Sequence, residues 1–428
     1  MHQVKILPTK LTGNIKIPPS KSMAHRAIIC ASLSTQTSVI SGVDYSADII
    51  ATIEGMRALG ADIVQDGSTL TICGEKLLNG GVDNKTIFCN ESGSTLRFLV
   101  PISLVSHSKV KFTGKGNLGK RPLTSYYNIF DKQNIKYSYE ADNLNLQVEG
   151  KLSADKFELA GDISSQFITG LLFALPLLES NSEIIITTPL ESKGYVDLTL
   201  QMMESFGVYV QNNDYKSFII EGNQTYKATT YEVEGDFSQA AFFLVAGAIG
   251  NNVTCTGMNI KSLQGDKMAI DFLREMGVDI QIEGDCISAK NTGVLNGITM
   301  SGAECPDIIP VMSVVAALCD GETEIVNAGR LRIKECDRLT ATTQELNKIG
   351  ALITENVNGM KIDGVDEFSG NCMVSSHKDH RIAMSLAIAA TRCKQPIILD
   401  YPECVEKSYP KFWDDYKAIG GKVEVVIS

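Results

Sequence analysis

The sequence predicts an α/β protein built from six similar units, three per domain, and three observations carry that expectation. The chain has 428 residues, more than one ordinary core accommodates, so two domains are expected. A short pattern recurs six times, at 56–63, 131–137, 203–210, 273–280, 346–353 and 416–423: an amphipathic stretch, a Gly or Asn, then a β-prone run. Its turn residues Gly60, Asn134, Gly207, Gly277, Gly350 and Gly420 lie 70 to 74 residues apart. Helix and strand signals fill each interval. Gly and Asn tolerate the left-handed backbone that closes a helix, so each copy reads as helix, cap, strand. The period is too long for a common solenoid repeat and suits a small βαβ-type unit.

The elements follow in chain order. Strand signals, rich in β-branched and aromatic residues, fall at 4–7, 69–73, 144–148, 183–187, 217–220 and 286–289. Helical signals fall at 26–33, 95–105, 165–178, 238–249, 308–318 and 381–391. No Pro/Ser-rich linker separates the halves. The expected crossings between domains lie near Pro18-Pro19 and Glu234-Gly235.

Composition narrows the function. No stretch reaches the ~18 apolar residues of a membrane span, and residues 1–11 lack a signal-peptide core, so a cytoplasmic protein is expected. Eleven cysteines are scattered without Cys-x-x-Cys spacing, which argues against a disulfide framework and structural zinc. His377 and His380 have no nearby Cys to complete a metal site. A net charge of −11 argues against nucleic acid or an anionic membrane as partner. An anionic ligand then requires positive charge gathered locally.

That gathering is visible in the repeats. Arg121, Lys193, Lys334, Arg338 and Lys407 each precede a turn residue by 12 to 16 positions. A helix of about 10–13 residues ending at the turn puts each cation at or just before a helix N-terminus. Unpaired N–H groups and the helix dipole make such an end an anion site. Before Gly277 and Gly60 the equivalent segments read Gln264-Gly265-Asp266 and Ser46-Ala47-Asp48.

Several motifs share this character. Pro18-Pro19-Ser20-Lys21-Ser22 with His25-Arg26 offers two cations and two hydroxyls around a helix start. Ser92-Gly93-Ser94 precedes a helix that carries Arg97, read here as a structural pair. A Gly-rich loop ends at Arg121-Pro122, and Ser164-Ser165-Gln166 opens a helix with hydroxyl and amide groups. Lys334-Glu335-Cys336-Asp337-Arg338, Asp379-His380-Arg381 and Lys407 follow. Asp307 opens an otherwise apolar helix, as a cap or as a group that orients or deprotonates a hydroxyl.

Together, in this order and over essentially the whole chain, these motifs resemble the EPSP synthase (3-phosphoshikimate 1-carboxyvinyltransferase) family of enolpyruvyl transferases. The resemblance implies a two-domain inside-out α/β barrel of six βαβαββ-type repeats, with one domain of residues 1–19 plus 235–428, another of 20–234, and the active site in the interdomain cleft. It implies Lys21, Ser22, Arg26, Ser164, Ser165, Gln166, Ser192, Tyr195, Asp307 and Lys334 as ligands of shikimate 3-phosphate. Lys21, Gly93, Arg121, Gln166, Arg338, Arg381 and Lys407 would bind phosphoenolpyruvate. The catalytic groups would be Asp307, Lys21 and Glu335, with His380 and Lys407 in support. No metal or organic cofactor is implied, and a monomer acting on small molecules is expected. Two departures stand out: Glu91 where the family often has Asn, and Arg330 where some members carry Asn. Gly93 leaves room for glyphosate. Two alternatives share the fold. A UDP-N-acetylglucosamine enolpyruvyl transferase typically carries a reactive Cys in the loop 114–121, and none is present here. A non-catalytic anion-binding protein would have no reason to keep Lys21, Asp307 and Glu335 together.

Overall fold

The computed structural model describes residues 3–80, 84–105, 109–140 and 144–426. At all six repeat turns the backbone is left-handed: φ is 55° at Asn134 and 76° to 110° at Gly60, Gly207, Gly277, Gly350 and Gly420. Each turn joins a helix to a strand. Helix Ala47–Ala58 leads into Asp62–Asp66, Thr124–Gln133 into Lys136–Glu140, and Lys193–Ser205 into Val210–Asn213. Helix Met268–Glu275 leads into Asp279–Glu283, Arg338–Lys348 into Leu352–Asn356, and Phe412–Ala418 into Lys422–Val425.

Those strands form one edge of six four-stranded sheets. In one, Lys85–Phe88 pairs parallel with Lys109–Thr113, which pairs antiparallel with Asn145–Glu149, itself antiparallel to Lys136–Glu140. Helix Gly93–Ser103 follows the first strand and Thr124–Gln133 the second, giving the order βαβαββ. Distant segments complete three sheets. Thr230–Glu232 joins Ser38–Ser41, Thr12–Lys16 joins Asn252–Thr256, and Gln3–Leu7 inserts between Ile397–Asp400 and Lys422–Val425.

The chain divides into two compact units, Met1–Pro18 with Glu234–Ser428, and Pro19–Val233. The crossings therefore follow Pro18 and Val233, one residue ahead of the positions expected from the sequence. In the first unit, helices Phe237–Ala248, Ile309–Ala316 and His380–Ala390 are buried along their whole length and pack against one another. A helix apolar on all sides belongs in an interior. The second unit buries nearly all of Lys21–Ser32, Gly93–Ser103 and Ser165–Ala174. Each repeat thus places a helix inside and a sheet outside. The helix expected at 165–178 ends at Ala174 and continues as a 3₁₀ turn, Leu175–Leu177, because Pro176 has no N–H to donate. Among the described residues no helix is long and apolar enough to cross a membrane.

Helices Gly93–Ser103 and Ser165–Ala174 approach closely at Gly170, where a Cβ would lie 2.3 Å from the Arg97 carbonyl oxygen and 2.4 Å from the Tyr126 hydroxyl. Gly170→Ala must push the helices apart, and the overpacking outweighs the gain in helix propensity. The expected loss is about 1–3 kcal/mol, read as a lowered urea midpoint.

Candidate active site

In the unit Pro19–Val233, four helix starts carry the functional side chains. Ser20 caps helix Lys21–Ser32 by accepting from Met23 N. Lys21, its first residue, places Nζ 2.9 Å from Asp48 Oδ2 in the first turn of helix Ala47–Ala58. Arg26 points elsewhere. Its guanidinium donates to the carbonyls of Ser22 and Tyr195 (2.8 Å each) and to Thr199 Oγ1 (2.9 Å), over the Phe98 ring. Burial pushes its pKa down to about 10, which leaves it cationic at neutral pH. Lys21 and Arg26 therefore diverge from one helix, one bound to a carboxylate and the other bracing helix Lys193–Ser205.

A second grouping converges on Gly93. Ser92 caps helix Gly93–Ser103. A Cβ at position 93 would meet Arg121 Nη1 at 3.0 Å, Arg97 Nη1 at 3.1 Å and Gln166 Oε1 at 3.2 Å. Arg97 donates to Gln166 Oε1 (2.7 Å) and to the Pro122 carbonyl (3.3 Å), and Gln166 Nε2 donates to Ser94 Oγ (3.0 Å). Ser164 caps helix Ser165–Ala174 through Gln166 N, with Ser165 buried behind it. Ser192 stands ahead of helix Lys193–Ser205 at φ 56°, a strained position for a serine, with Tyr195 in the first turn. Lys193 heads the same helix with Nζ over the Tyr215 ring.

In the other unit the cations meet around carboxylates. Asp307 lies in the turn just ahead of helix Ile309–Ala316, not in its first turn. Arg338 Nη1 is 2.8 Å from Asp307 Oδ1, Lys334 Nζ is 3.5 Å from the same oxygen, and Arg381 Nη2 is 3.6 Å from Oδ2. Arg338 also donates to Asp379 Oδ2 through Nε and to Glu335 Oε2 through Nη2, both at 2.8 Å. Arg381 donates to Ser238 O (2.9 Å) and Oγ (2.7 Å). Its Nε is buried and has no hydrogen-bond partner among the described residues. Lys407, at the end of the 3₁₀ turn Pro402–Lys407, places Nζ 3.8 Å from Glu335 Oε1. His380 is buried, with Nδ1 3.7 Å from Asp379 Oδ1.

The electrostatics follow from this packing. Burial favours the neutral form of Asp307, but Lys334, Arg338 and Arg381 outweigh it and hold the carboxyl well below its usual range. Burial lowers Lys334, partly offset by Asp307, with Arg338 and Arg330 adding like charge. Arg338 is raised well above its usual value: burial opposes, and Asp379, Glu335 and Asp307 prevail.

Three contributors escaped the sequence reading. Arg97, taken for a structural pair, stands one turn after Gly93 on the same helix face, a spacing that could have flagged it. Asp48 had been noted only as a place where the cation pattern fails. Asp379 caps helix His380–Ala390 through Arg381 N while holding Arg338. Its position before the helix was legible as a cap, but its second role was not. Among the described residues no group of three or more His, Cys, Asp or Glu could hold a metal ion.

Over its full length the fold is similar to two solved structures. An EPSP synthase from Acinetobacter baumannii matches with a TM-score of 0.82 at 26% identity, covering 100% of both chains. An enolpyruvyl transferase from Streptomyces tendae matches with a TM-score of 0.80 at 14% identity, covering 100% of this chain and 99% of the other. The fold is thus the one enolpyruvyl transferases adopt. The family model for EPSP synthase (3-phosphoshikimate 1-carboxyvinyltransferase) matches residues 7–416. A 3-phosphoshikimate 1-carboxyvinyltransferase from Clostridium perfringens (strain ATCC 13124) is 58% identical over 422 residues, 98% of this chain and 99% of its own. One from Clostridioides difficile (strain 630) is 57% identical over 432 residues, 99% of each. The chain belongs to the EPSP synthase family, and it is an enzyme of the transferase class.

The Asp307 carboxylate provides a pH test. Its folded pKa is depressed, so its stabilisation is complete above the unfolded value near 4, declines as pH falls below that value and is gone once pH has fallen through the folded value. Asp307→Asn leaves the facing cations without this anion. The urea midpoint of the wild type should exceed that of the variant by a constant margin from pH 7 to about 5, and the margin should narrow progressively as pH falls below about 4.

Proposed function

We propose that this chain transfers the enolpyruvyl group of phosphoenolpyruvate to the 5-hydroxyl of shikimate 3-phosphate, releasing phosphate, as a step in aromatic amino-acid biosynthesis. The observation that carries the reading is the convergence of Lys334, Arg338 and Arg381 on Asp307. A carboxylate able to orient a hydroxyl stands there inside a cationic cluster. The names of the relatives supply the substrates. The two substrates together bring about −5 to −6 charges. Lys21, Arg26, Arg121, Lys334, Arg338, Arg381 and Lys407 are the cations assigned to them, and Arg97 joins these. Without them, two such anions would repel strongly in a low-dielectric site.

In this reading the cluster around Gly93 and the cluster around Asp307 act on one pair of substrates. Gly93, Arg121, Arg338, Arg381 and Lys407 hold phosphoenolpyruvate. The buried, unpartnered Nε of Arg381 is a donor suited to its oxygens. Ser22, Arg26, Ser164, Ser165, Ser192, Tyr195, Asp307 and Lys334 hold shikimate 3-phosphate, and Lys21 and Gln166 reach both. The hydroxyl oxygen adds to C2 of phosphoenolpyruvate as C3 gains a proton. The tetrahedral intermediate then loses a proton from C3 and breaks its C2–phosphate bond.

With its pKa held so low, Asp307 is ionised in the free protein and ready to orient the hydroxyl when it arrives. Bound anions offset the cations around it and raise its basicity for taking the hydroxyl proton. Glu335 relays to C3 a proton drawn from the neighbouring Lys407 ammonium and takes it back from C3 in the elimination, Lys21 supports the departing phosphate, and His380 assists. The enzyme acts as a cytoplasmic monomer without cofactor.

Phosphate release measured with both substrates, and with each alone, tests the function: release is expected only with both, and its absence there overturns the reading. Asp307→Ala should lower kcat by about 10²–10⁴-fold while shikimate 3-phosphate binding by calorimetry persists. Turnover near that of the wild type would remove Asp307 from its role.

A further inference from the structure

Behind the charge cluster lies a buried carboxylate that the proposed reaction does not use. Glu345 sits on helix Arg338–Lys348 with its side chain 1% exposed. Its Oε2 accepts from Ser375 N (2.9 Å), its Oε1 meets His377 Nε2 (2.8 Å), and Lys348 Nζ donates to both oxygens at 2.9 Å. Burial works against this charge, yet the hydrogen bonds from His377, Lys348 and Ser375 prevail and hold its pKa below the usual range.

The segment it grips is strained. Residues 375–379 connect strand Cys372–Val374 to helix His380–Ala390, and His377 and Lys378 are consecutive left-handed residues, φ 50° and 56°. Neither is Gly, so the backbone pays a steric cost that its surroundings must over-determine. The surroundings do so: Ser376 N donates to Asp400 Oδ1 (2.8 Å), His377 N to Ser375 Oγ (3.0 Å), Lys378 N to Ser376 Oγ (3.1 Å), and Asp379 N to Ser376 O (2.9 Å). At the end of this segment stands Asp379, which holds Arg338 Nε and caps the helix at Arg381 N.

One helix therefore grips the segment at both ends. Arg338 takes Asp379, and Glu345, seven residues on, takes Ser375. Seven helical residues rise about 10 Å, and the four-residue step from Ser375 to Asp379 can span that. We propose that Glu345 is a positioning residue: it fixes the backbone of Ser375–Lys378, and thereby Asp379, which holds the Arg338 guanidinium and caps the helix start that carries Arg381.

The inference rests on the proposed function, which assigns those two arginines to phosphoenolpyruvate. Its test uses the full-length protein, with kcat and KM measured for each substrate. Glu345→Ala is expected to raise KM for phosphoenolpyruvate about 10-fold or more, and KM for shikimate 3-phosphate by less than about 3-fold. Glu345→Gln should restore most of the loss, because its oxygen still accepts from Ser375 N and its amide can donate to His377 Nε2. Leu346→Ala, a buried apolar change one residue on, controls for general destabilisation. It should lower Tm and leave both KM values unchanged. Unchanged KM values in Glu345→Ala, or an equal rise in Leu346→Ala, overturns the inference.

Should Glu345→Ala fail to fold, His377→Ala carries the test. It removes the side-chain contact to Glu345 while Ser375 N keeps its own, and should raise the same KM about 3-fold, and no change overturns the proposal. If the wild type releases no phosphate with both substrates, it is the function that fails. Amide exchange at residues 375–379 then decides the positioning role: about 10-fold faster in Glu345→Ala but not in Leu346→Ala supports it, and equal protection overturns it.

Discussion

The structure depends on Arg338. Its side chain is 1% exposed and it binds three carboxylates at once: Asp307, Glu335 and Asp379. A guanidinium buried this deeply must have its charge and its planar fork of N–H donors satisfied. Those bonds tie together the turn before helix Ile309–Ala316, the start of helix Arg338–Lys348 and the cap of helix His380–Ala390. The same bonds let Lys334, Arg381 and Lys407 stand nearby without mutual repulsion unfolding the region. Four cations against three carboxylates leave an excess of positive charge in a protein whose overall charge is −11. In the proposed function an anionic substrate completes that balance.

The repeat architecture explains how such charges are delivered. Each unit keeps its apolar helices inside and its sheets outside, so the starts of the helices are where polar side chains can be presented. Ser20, Ser46, Ser92, Ser164, Asp337 and Asp379 cap six of them through their own backbone N–H groups. The caps fix the first turn, and the first turn carries Lys21, Asp48, Gly93, Gln166, Arg338 and Arg381. Capping and function thus share the same few residues, which couples local folding to the geometry of the site.

Much of this was legible in the sequence, and the physical reason separates what was from what was not. The six turns announce themselves because a left-handed φ selects Gly or Asn locally. The interior helices announce themselves because an all-apolar run of that length has nowhere else to go. Strand partners do not. Nothing local to 3–7 says that it inserts between 397–400 and 422–425, and nothing in 230–232 points to 38–41. The site divides in the same way. Cations at helix starts could be read from spacing, but Asp48 opposite Lys21 and Asp379 opposite Arg338 are separated from their partners by 27 and 41 residues. Arg26 could be read as a cation near a helix start, yet its bonds to Tyr195 and Thr199 depend on a helix some 170 residues away.

Asp48, which the sequence did not single out, and Asp307, which it did, show why such acids matter. Each pairs with a lysine, Asp48 with Lys21 at 2.9 Å and Asp307 with Lys334 at 3.5 Å, in two different units. A lysine held by a carboxylate keeps its direction while no ligand is bound. An incoming phosphate must compete for that ammonium, so part of the binding energy is spent releasing the acid. At Asp48 the released carboxylate has no evident further task. At Asp307 it is left beside the hydroxyl that the proposed reaction activates, less neutralised by cations and more basic than before. In the proposed reaction the same exchange of partners that binds the anion thereby prepares the base, which would tie substrate binding to chemistry without a separate switch.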